Sequence, residues 1–578
     1  MAQGLSRKNG APRQPRRNRG ESGELRTPLA KRLLTVRRPR EDAATHPSAR
    51  SALNAPLSAG ISAAPPGDDA HARAAAWPVL LLAGLAQWLL WSLAFALTYR
   101  APEIDSAEQF VWSFSLENGY WKHPPVPSWI MHGLVGLFGP SVALPFVATQ
   151  ACIVVALGLT WRLACEFMSP RRALIGVLLS SLVAYHNIGG DCFNHNTALL
   201  PFQAATLLFA RLAMRRGGGH RWALVGLFAG LSMLVKYVAL IPIGAVLLAF
   251  VLDPAMRRRA PLAGLALAAG VFALTLLPHL LWLEQTNFLP FRYAQAVAKA
   301  APGLGTTLAG VWDFVVIQAV RCLPLAIGAW WVMARSRAAP RSVPVDRGAD
   351  TGAFLWVVGL LPLAVTIAVG LFTHTELQSR WGANLFLLSG VLVMAALPRA
   401  DDERLLQRAL RATAVIQLVL CLGLTLGKTV VAEALHVRTR ANYPGDVLAR
   451  HARDTWAAYT DAPLRLVVSD IWLGGNVIAN SRQRLAVLID GRHFKSPWVR
   501  DEAVQRCGAL VLDDTTDDAA GRGEPNAALD TLMARAEFTG VWELEWAGTL
   551  GNQHPAQASG LVRWGIIRPT TPDGCDRP

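Results

Sequence analysis

The stretch that decides the fold is WPVLLLAGLAQWLLWSLAFALTY, residues 77–99, followed by RAPEIDSAEQFVWSFSLENGYWKHPPVPSW, residues 100–129. The first run holds no Asp, Glu, Lys or Arg. About 20 mostly apolar residues cross the ~30 Å hydrocarbon layer as a helix, so this run predicts a transmembrane span. The second begins on a cation, gathers carboxylates at Asp105 and Glu108, and then meets Lys122, His123 and the prolines 124, 125 and 127. It reads as a polar loop built against the membrane surface, with proline stopping the chain from continuing as helix.

The same alternation continues outward. Runs free of Asp, Glu, Lys and Arg cover 77–99, 123–161, 173–190, 192–210, 222–235, 237–252, 260–283, 351–375, 381–398 and 412–427. Residues 306–334 add a span interrupted by Arg321. The run 123–161 is too long for one span. Its start up to Phe138 reads as interfacial and its span as about 141–166. The runs between 222 and 252 are short and predict broken or tilted helices. The fold class is therefore an α-helical polytopic membrane protein with about 11 transmembrane helices.

Composition agrees. Of 578 residues, 52% are hydrophobic and 17% charged, and mean hydropathy is +0.30. A soluble globular chain carries about 25% charge, so an ordinary soluble enzyme is excluded. The net charge of +16 comes from 49 Arg and 7 Lys set in short clusters between uncharged runs. That is the pattern of basic cytoplasmic loops, not of a nucleic-acid surface. With the N-terminus inside, Arg171 and Arg172, Arg215, Arg216 and Arg221, Arg257 to Arg259, Arg335 and Arg337, and Arg404, Arg408 and Arg411 all fall on the cytoplasmic side. The cations left outside are Arg100, Lys122, Lys236, Arg292, Lys299 and Arg380, which the bulk rule does not explain.

Three parts follow. Residues 1–76 read as a disordered basic cytoplasmic tail, with 14 Lys plus Arg against 6 Asp plus Glu. Residues 77–431 form the membrane part. Residues 432–578 turn polar and carry β-like runs at Leu464–Ser469, Leu485–Ile489, Ala509–Leu512, Gly540–Leu544 and Gly560–Ile567, a small α/β domain. An odd span count places it outside. Its Asp513, Asp514, Asp517 and Asp518 read as a solvated loop, since no calcium-loop spacing is present. The seven cysteines show no metal-ligand spacing; Cys507 and Cys575 pair outside the membrane or remain thiols.

The outer loop 100–140 carries the chemistry. Asp105 and Glu108, three apart, share a helix face. A carboxylate there can take a proton from an attacking hydroxyl, while Lys122 and His123 offer charge or hydrogen bonds to a phosphate. Spacing alone leaves open the alternative of an amphipathic interface helix with Trp anchors.

Asp-x-Ala-Glu followed by Gly119-Tyr-x-Lys-His-Pro-Pro resembles the first periplasmic loop of bacterial membrane glycosyltransferases of the GT-C class, family 39-like. That superfamily includes the protein O-mannosyltransferases and the lipid A aminoarabinose transferase. Asn194-His195-Asn196-Thr197 resembles the polar turn opening the fourth helix. Gly230-Leu-Ser-Met-Leu-Val-Lys236 and Arg380-Trp381-Gly382 resemble two further family segments. The likeness spans roughly residues 77–400.

The resemblance implies a GT-C fold in the bacterial inner membrane, with the C-terminal domain periplasmic. It implies transfer of a hexosyl or pentosyl group, with inversion, from a polyprenyl-phosphate-linked sugar to a hydroxyl of a lipid, glycan or protein. Asp105 takes the place of the catalytic base, with Glu108 orienting the acceptor or binding a cation. Lys122, His123, Lys236 and Arg380 are the donor-phosphate candidates. The chief alternatives for the last two are a Lys236 snorkelling to the surface and an Arg380 paired with Glu376. Asp191, His195 and Asn196 are expected to line the cleft. A divalent cation is possible and its ligands are unknown; His374 and Glu376 read better as loop polarity. Glu284, Arg292 and Lys299 are candidate acceptor or phosphate contacts. No Asp-x-Asp motif for a nucleotide-bound metal is seen in the outer loops, consistent with a lipid-linked donor. A multi-span transporter is the alternative from another class, but it calls for internal repeats and mid-membrane charges that the sequence does not display.

Overall fold

The computed structural model describes residues 66–578 apart from 255–256, 258–260, 298–302, 335–351, 398–402, 436, 517–525, 546–558 and 572–578. The expectations for most of the N-terminal tail and for Arg258, Arg259, Lys299, Arg335, Arg337, Asp517, Asp518 and Cys575 lie outside the described residues.

The chain is a helical bundle followed by one sheet. Helix α1 (Pro66–Thr98) begins ahead of the expected boundary at 77, so the last residues assigned to a disordered tail are helical. Then come α2 (Ile104–Trp112), α3 (Val126–Phe138), α4 (Leu144–Ala164), α5 (Pro170–Ser180), α6 (His195–Arg216), α7 (Gly219–Val235) and α8 (Leu240–Leu252). Next are α9 (Leu262–Gln285), α10 (Leu289–Val297), α11 (Leu304–Met333), α12 (Gly352–Thr373), α13 (Ser389–Ala396) and α14 (Glu403–Leu426).

Among the described residues, seven helices are long and apolar enough to cross a membrane, and three shorter apolar helices accompany them. The count of about 11 spans is thus not reproduced. The charge-free run 173–190 is helical only to Ser180 and then enters a buried irregular segment. The run 381–398 gives a 3₁₀ turn, Ser379–Asn384, and the short α13. Both pieces are covered by protein. Gly390 of α13 meets the Gly176 carbonyl of α5 so closely that a side chain there would strike backbone. Irregular backbone at membrane depth is tolerated where protein surrounds it, and apolarity alone does not separate that case from a lipid-facing span. The expected short helices between 222 and 252 do occur, as α7 and the pair Tyr237–Leu252. They are broken at Lys236, whose backbone is extended (φ −161°, ψ 133°).

Buried amides tie the bundle together, as expected where lipid offers no hydrophobic drive between helices. Trp91 donates to Gln417 (2.7 Å), Gln417 to the Ser181 carbonyl (3.1 Å), and Gln87 to the His186 carbonyl (2.9 Å).

The C-terminal part carries helices α15 (Gly445–Tyr459) and α16 (Ile471–Ser481) and a five-stranded sheet. The strands are β1 (Leu466–Ser469), β2 (Ala486–Ile489), β3 (Ala509–Asp514), β4 (Phe538–Glu545) and β5 (Ser559–Ile567), in the order β2-β1-β3-β5-β4. β1 runs parallel to β2 and β3, and β5 is antiparallel to β3 and β4. All five expected strands are present. β1 and β2 are buried on both faces, which explains their unbroken apolar runs.

Candidate active site

Helix α2 lies at the Thr98 end of α1, and the sheet domain packs on it. Gly475 of α16 approaches so closely that a Cβ there would lie 2.6 Å from the Cβ of Ala107. Only glycine admits this contact, and it presses the helix bearing Asp105 and Glu108 against the C-terminal domain. The other side of α2 is pinned by Ser106, which accepts from the Phe193 amide (2.9 Å), and by Gln109, which accepts from Ser128 (2.8 Å).

The prolines are not the only device that shapes the following loop. Tyr120 and His123 exchange backbone hydrogen bonds (3.0 and 3.1 Å), closing a tight turn with Trp121 and Lys122 at its tip. Tyr120 stacks on Trp112 with centroids 4.8 Å apart and donates to the Ser115 carbonyl (2.7 Å). This fixes Lys122 so that its Nζ lies 2.5 Å from a Glu108 carboxylate oxygen. The same ammonium faces the rings of Trp121 (5.3 Å), Trp112 (5.8 Å) and Tyr293 (5.9 Å). Aromatic faces stabilise a desolvated cation, so the charge is held by more than one partner.

The second wall comes from the start of α6. Asn194 caps that helix through the Asn196 and Thr197 amides, and Thr197 closes a capping box by accepting from the Asn194 amide. The Asn194 side-chain amide also donates to Asp105 (3.1 Å), orienting its carboxylate. Asn196 in turn accepts from Lys236 Nζ at 2.5 Å. The break between α7 and Tyr237 is what delivers this lysine, and the charges of Asp105 and Arg380 both act on it. His123 and His195 lie against each other with ring centroids 4.0 Å apart and planes tilted by 36°, and His195 Nε2 is buried without a hydrogen-bond partner among the described residues.

The site therefore brings together Asp105, Glu108, Lys122, His123, His195, Asn196 and Lys236. Arg380 stands at its exposed rim. It donates to Gln378 (2.8 Å) instead of pairing with Glu376, and its charge reaches Glu108, His123 and Lys236. Asp191 is placed differently. It accepts from Tyr99 (2.7 Å) and shares its surroundings with Glu103, Lys428 and Arg321, with no hydrogen bond to the Asp105 group among the described residues. His374 bonds to Thr307 (2.9 Å). Asp513 is paired with Arg563 (2.7 Å). Among the described residues no group of three or more His, Cys, Asp or Glu side chains is arranged to hold a metal ion.

Electrostatics divide the roles. Burial lifts the Glu108 carboxyl to about 7, against the lowering effect of Lys122. Burial pulls the Lys122 ammonium down, but Glu108 outweighs it and the group stays above its ordinary value. Burial and then the charges of His195, Lys122, Lys236 and Arg380 hold His123 well below the usual imidazole range, so its ring is neutral.

Sequence reading misses the aromatic enclosure by Tyr293 and the approach of Lys495, whose Nζ stands 4.6 Å from the Trp121 ring. It also misses Asn194 as the partner of Asp105. The capping signature of Asn194 and Thr197 is visible in the sequence, but the second hydrogen bond of that amide is not.

Residues 122–282 match the family model described as dolichyl-phosphate-mannose-protein mannosyltransferase. Among curated proteins, the lipopolysaccharide core galacturonosyltransferase RgtA of Rhizobium johnstonii is 28% identical over 390 residues, 65% of this chain and 75% of that one. The lipid A galacturonosyltransferase RgtD of the same organism is 29% identical over 256 residues, covering 42% of this chain and 50% of the relative. Among solved structures, ArnT from Cupriavidus metallidurans bound to undecaprenyl phosphate superposes with a TM-score of 0.54 at 12% identity, over 84% of this chain and 98% of that one. At that identity the match speaks for the fold. The resemblance to the GT-C membrane glycosyltransferases, first carried by the Asp105 loop and the Lys236 segment, is thus borne out by family model, relatives and fold together.

Proposed function

We propose that the protein transfers a sugar, with inversion, from a polyprenyl-phosphate donor to a hydroxyl of a lipopolysaccharide-type lipid or glycan. The observation that carries this reading is a cleft in which the charge of Asp105 acts on Lys122 and Lys236, with Arg380 at the rim and two buried imidazoles alongside. In the reaction the acceptor oxygen attacks the anomeric carbon and its proton passes to Asp105. The bond from that carbon to the phosphate oxygen breaks, and its electron pair leaves with the lipid phosphate. Charge grows on that leaving oxygen, and preorganised cations in a water-poor cleft stabilise it far better than solvent does. Lys236 and Lys122 supply this from inside and Arg380 closes the rim with its planar fork. Nε2 of His195, buried without a hydrogen-bond partner among the described residues, adds a hydrogen-bonding position.

The sugar we assign is a hexuronic acid. The galacturonosyltransferase relatives support this, as does the excess of three cations over the two carboxylates, one of them lifted to about 7. The test gives membranes containing the protein either polyprenyl-phosphate galacturonic acid or polyprenyl-phosphate 4-amino-4-deoxyarabinose, radiolabelled, and separates products by solvent partition. Label moves to a lipid-phase product from the uronic acid donor at a rate at least tenfold above the other. A preference for the cationic sugar overturns the assignment of the sugar; transfer from neither overturns the reading as a transferase.

The reading places the site and the sheet domain on the periplasmic side of the inner membrane. The arginine-rich ends of α5 and α6 then face the cytoplasm, as the positive-inside rule requires. The disulfide at Cys507 supports an oxidising compartment for the sheet domain.

Glu108 gives the reaction a pH dependence. Below about 7 its carboxyl is neutral, and Lys122 directs its full charge at the donor phosphate. As pH rises through 7 the carboxylate forms and competes for that ammonium. The apparent KM for donor therefore rises several-fold between pH 6 and 8. Glu108→Gln, which keeps the neutral form, removes the step. An unchanged pH profile in that variant contradicts the assignment.

A further inference from the structure

A second polar cluster lies at the opposite end of the bundle. Helix α6 connects the two, with His195 at the transferase site and Arg216 at its other end, about 30 Å away at 1.5 Å per residue. There Glu166, in the turn between α4 and α5 and only 1% exposed, takes three guanidinium groups. Arg162 lies at 2.7 Å, Arg215 at 2.8 Å and Arg216 at 2.7 Å. One carboxylate against three arginines leaves an excess of two positive charges. Each guanidinium has five N–H donors, and one carboxylate contact does not exhaust them. Arg215 and Arg216 are about two-fifths exposed, so the inner carboxylate fixes them while their outer edges remain open.

Next to this cluster an apolar groove of about 940 Å³ runs between α1, α4, α5 and α14, and Arg162 forms part of its wall. Along α1 it extends from Trp77 to Leu90, about 20 Å. That exceeds half of the ~30 Å hydrocarbon thickness, enough for an acyl chain of one leaflet. Trp77 and Trp161 stand together at its mouth with centroids 5.7 Å apart, where indole rings favour the membrane interface. The polar side chains deeper in the wall, Gln87 and Gln417, spend hydrogen bonds inside the protein. The groove therefore offers an acyl chain an apolar surface and a cationic end.

We propose that this groove and the arginines around Glu166 form a binding site for an anionic phospholipid, its acyl chain in the groove and its phosphate on Arg162, Arg215 and Arg216. A zwitterionic lipid brings the same chain, but its ammonium meets the surplus positive charge. Basic pockets between transmembrane helices are a recurring way to hold anionic headgroups. The site stands apart from the transfer chemistry and anchors the bundle in the leaflet on the opposite side.

The test uses the full-length protein in detergent, titrated with dioleoyl phosphatidylglycerol or dioleoyl phosphatidylcholine, with thermal unfolding as readout. Phosphatidylglycerol raises the midpoint and phosphatidylcholine does not. Arg215→Gln with Arg216→Gln weakens the phosphatidylglycerol affinity by about tenfold or more, each removed charge near a headgroup being worth roughly a factor of five. Glu166→Gln acts in the opposite direction and tightens it several-fold. A merely structural cluster predicts that both changes weaken the protein alike. Equal shifts with the two lipids, an equal shift with inorganic phosphate, or weaker binding in Glu166→Gln each overturns the proposal. If the double variant fails to fold, Glu166→Gln decides alone: tighter binding upholds the site, and unchanged or weaker binding rejects it.

Discussion

Asp105→Asn lowers sugar transfer by about 10²–10⁴-fold while leaving the protein folded and its lipid-phosphate donor bound. The substitution is isosteric. The amide's oxygen still accepts from Asn194, so the cap of α6 and the position of α2 survive. What disappears is the base that receives the acceptor's proton. Removing a negative charge also leaves the cleft more positive around Lys236, so the donor's Kd stays level or falls. A loss confined to kcat therefore separates proton transfer from donor binding. Radiolabelled donor consumed at a rate within tenfold of the unaltered protein contradicts the role, and loss of donor binding assigns Asp105 to recognition instead.

How much of this was legible in the sequence depends on the range of the forces involved. The five strands stand out because apolar runs bounded by polar turns are local signals. The pairing of Asp105 with Glu108 on one side of a helix is equally local, and so are the capping residues of α6. The broken helix at Lys236 was readable because a lysine between two short apolar runs has to be delivered by some break in the membrane. The short helices α5 and α13 read as spans because their apolarity answers to other helices, and sequence does not say whether an apolar residue meets protein or lipid. The place of Asp191 at the outer end of two apolar runs puts it in the cleft on sequence alone, yet its carboxylate accepts from Tyr99. Gly475 carried no visible signal, since its meaning lies in contact with Ala107, hundreds of residues earlier.

Lys236→Met gives opposite signs for activity and stability. Lys236 forms no ion pair among the described residues; its ammonium rests on the neutral Asn196 amide and in the field of Asp105. A desolvated cation without a carboxylate in contact is costly, and an apolar side chain of similar length relieves that cost. The midpoint of thermal unfolding in the absence of donor therefore stays level or rises by a few degrees. The break between α7 and Tyr237 is set by backbone and packing, so it persists. Transfer falls by about 10²–10³-fold, the usual effect of removing one preorganised donor from the position where charge develops. Donor affinity weakens as well, because the phosphate is the anion this lysine lacks. The two readouts exclude the bland account: a lysine that merely reaches for the membrane surface changes neither, and one that props the two helices apart lowers the unfolding midpoint together with the rate. Only a cation held in reserve for the donor phosphate yields a protein that is no less stable and no longer active.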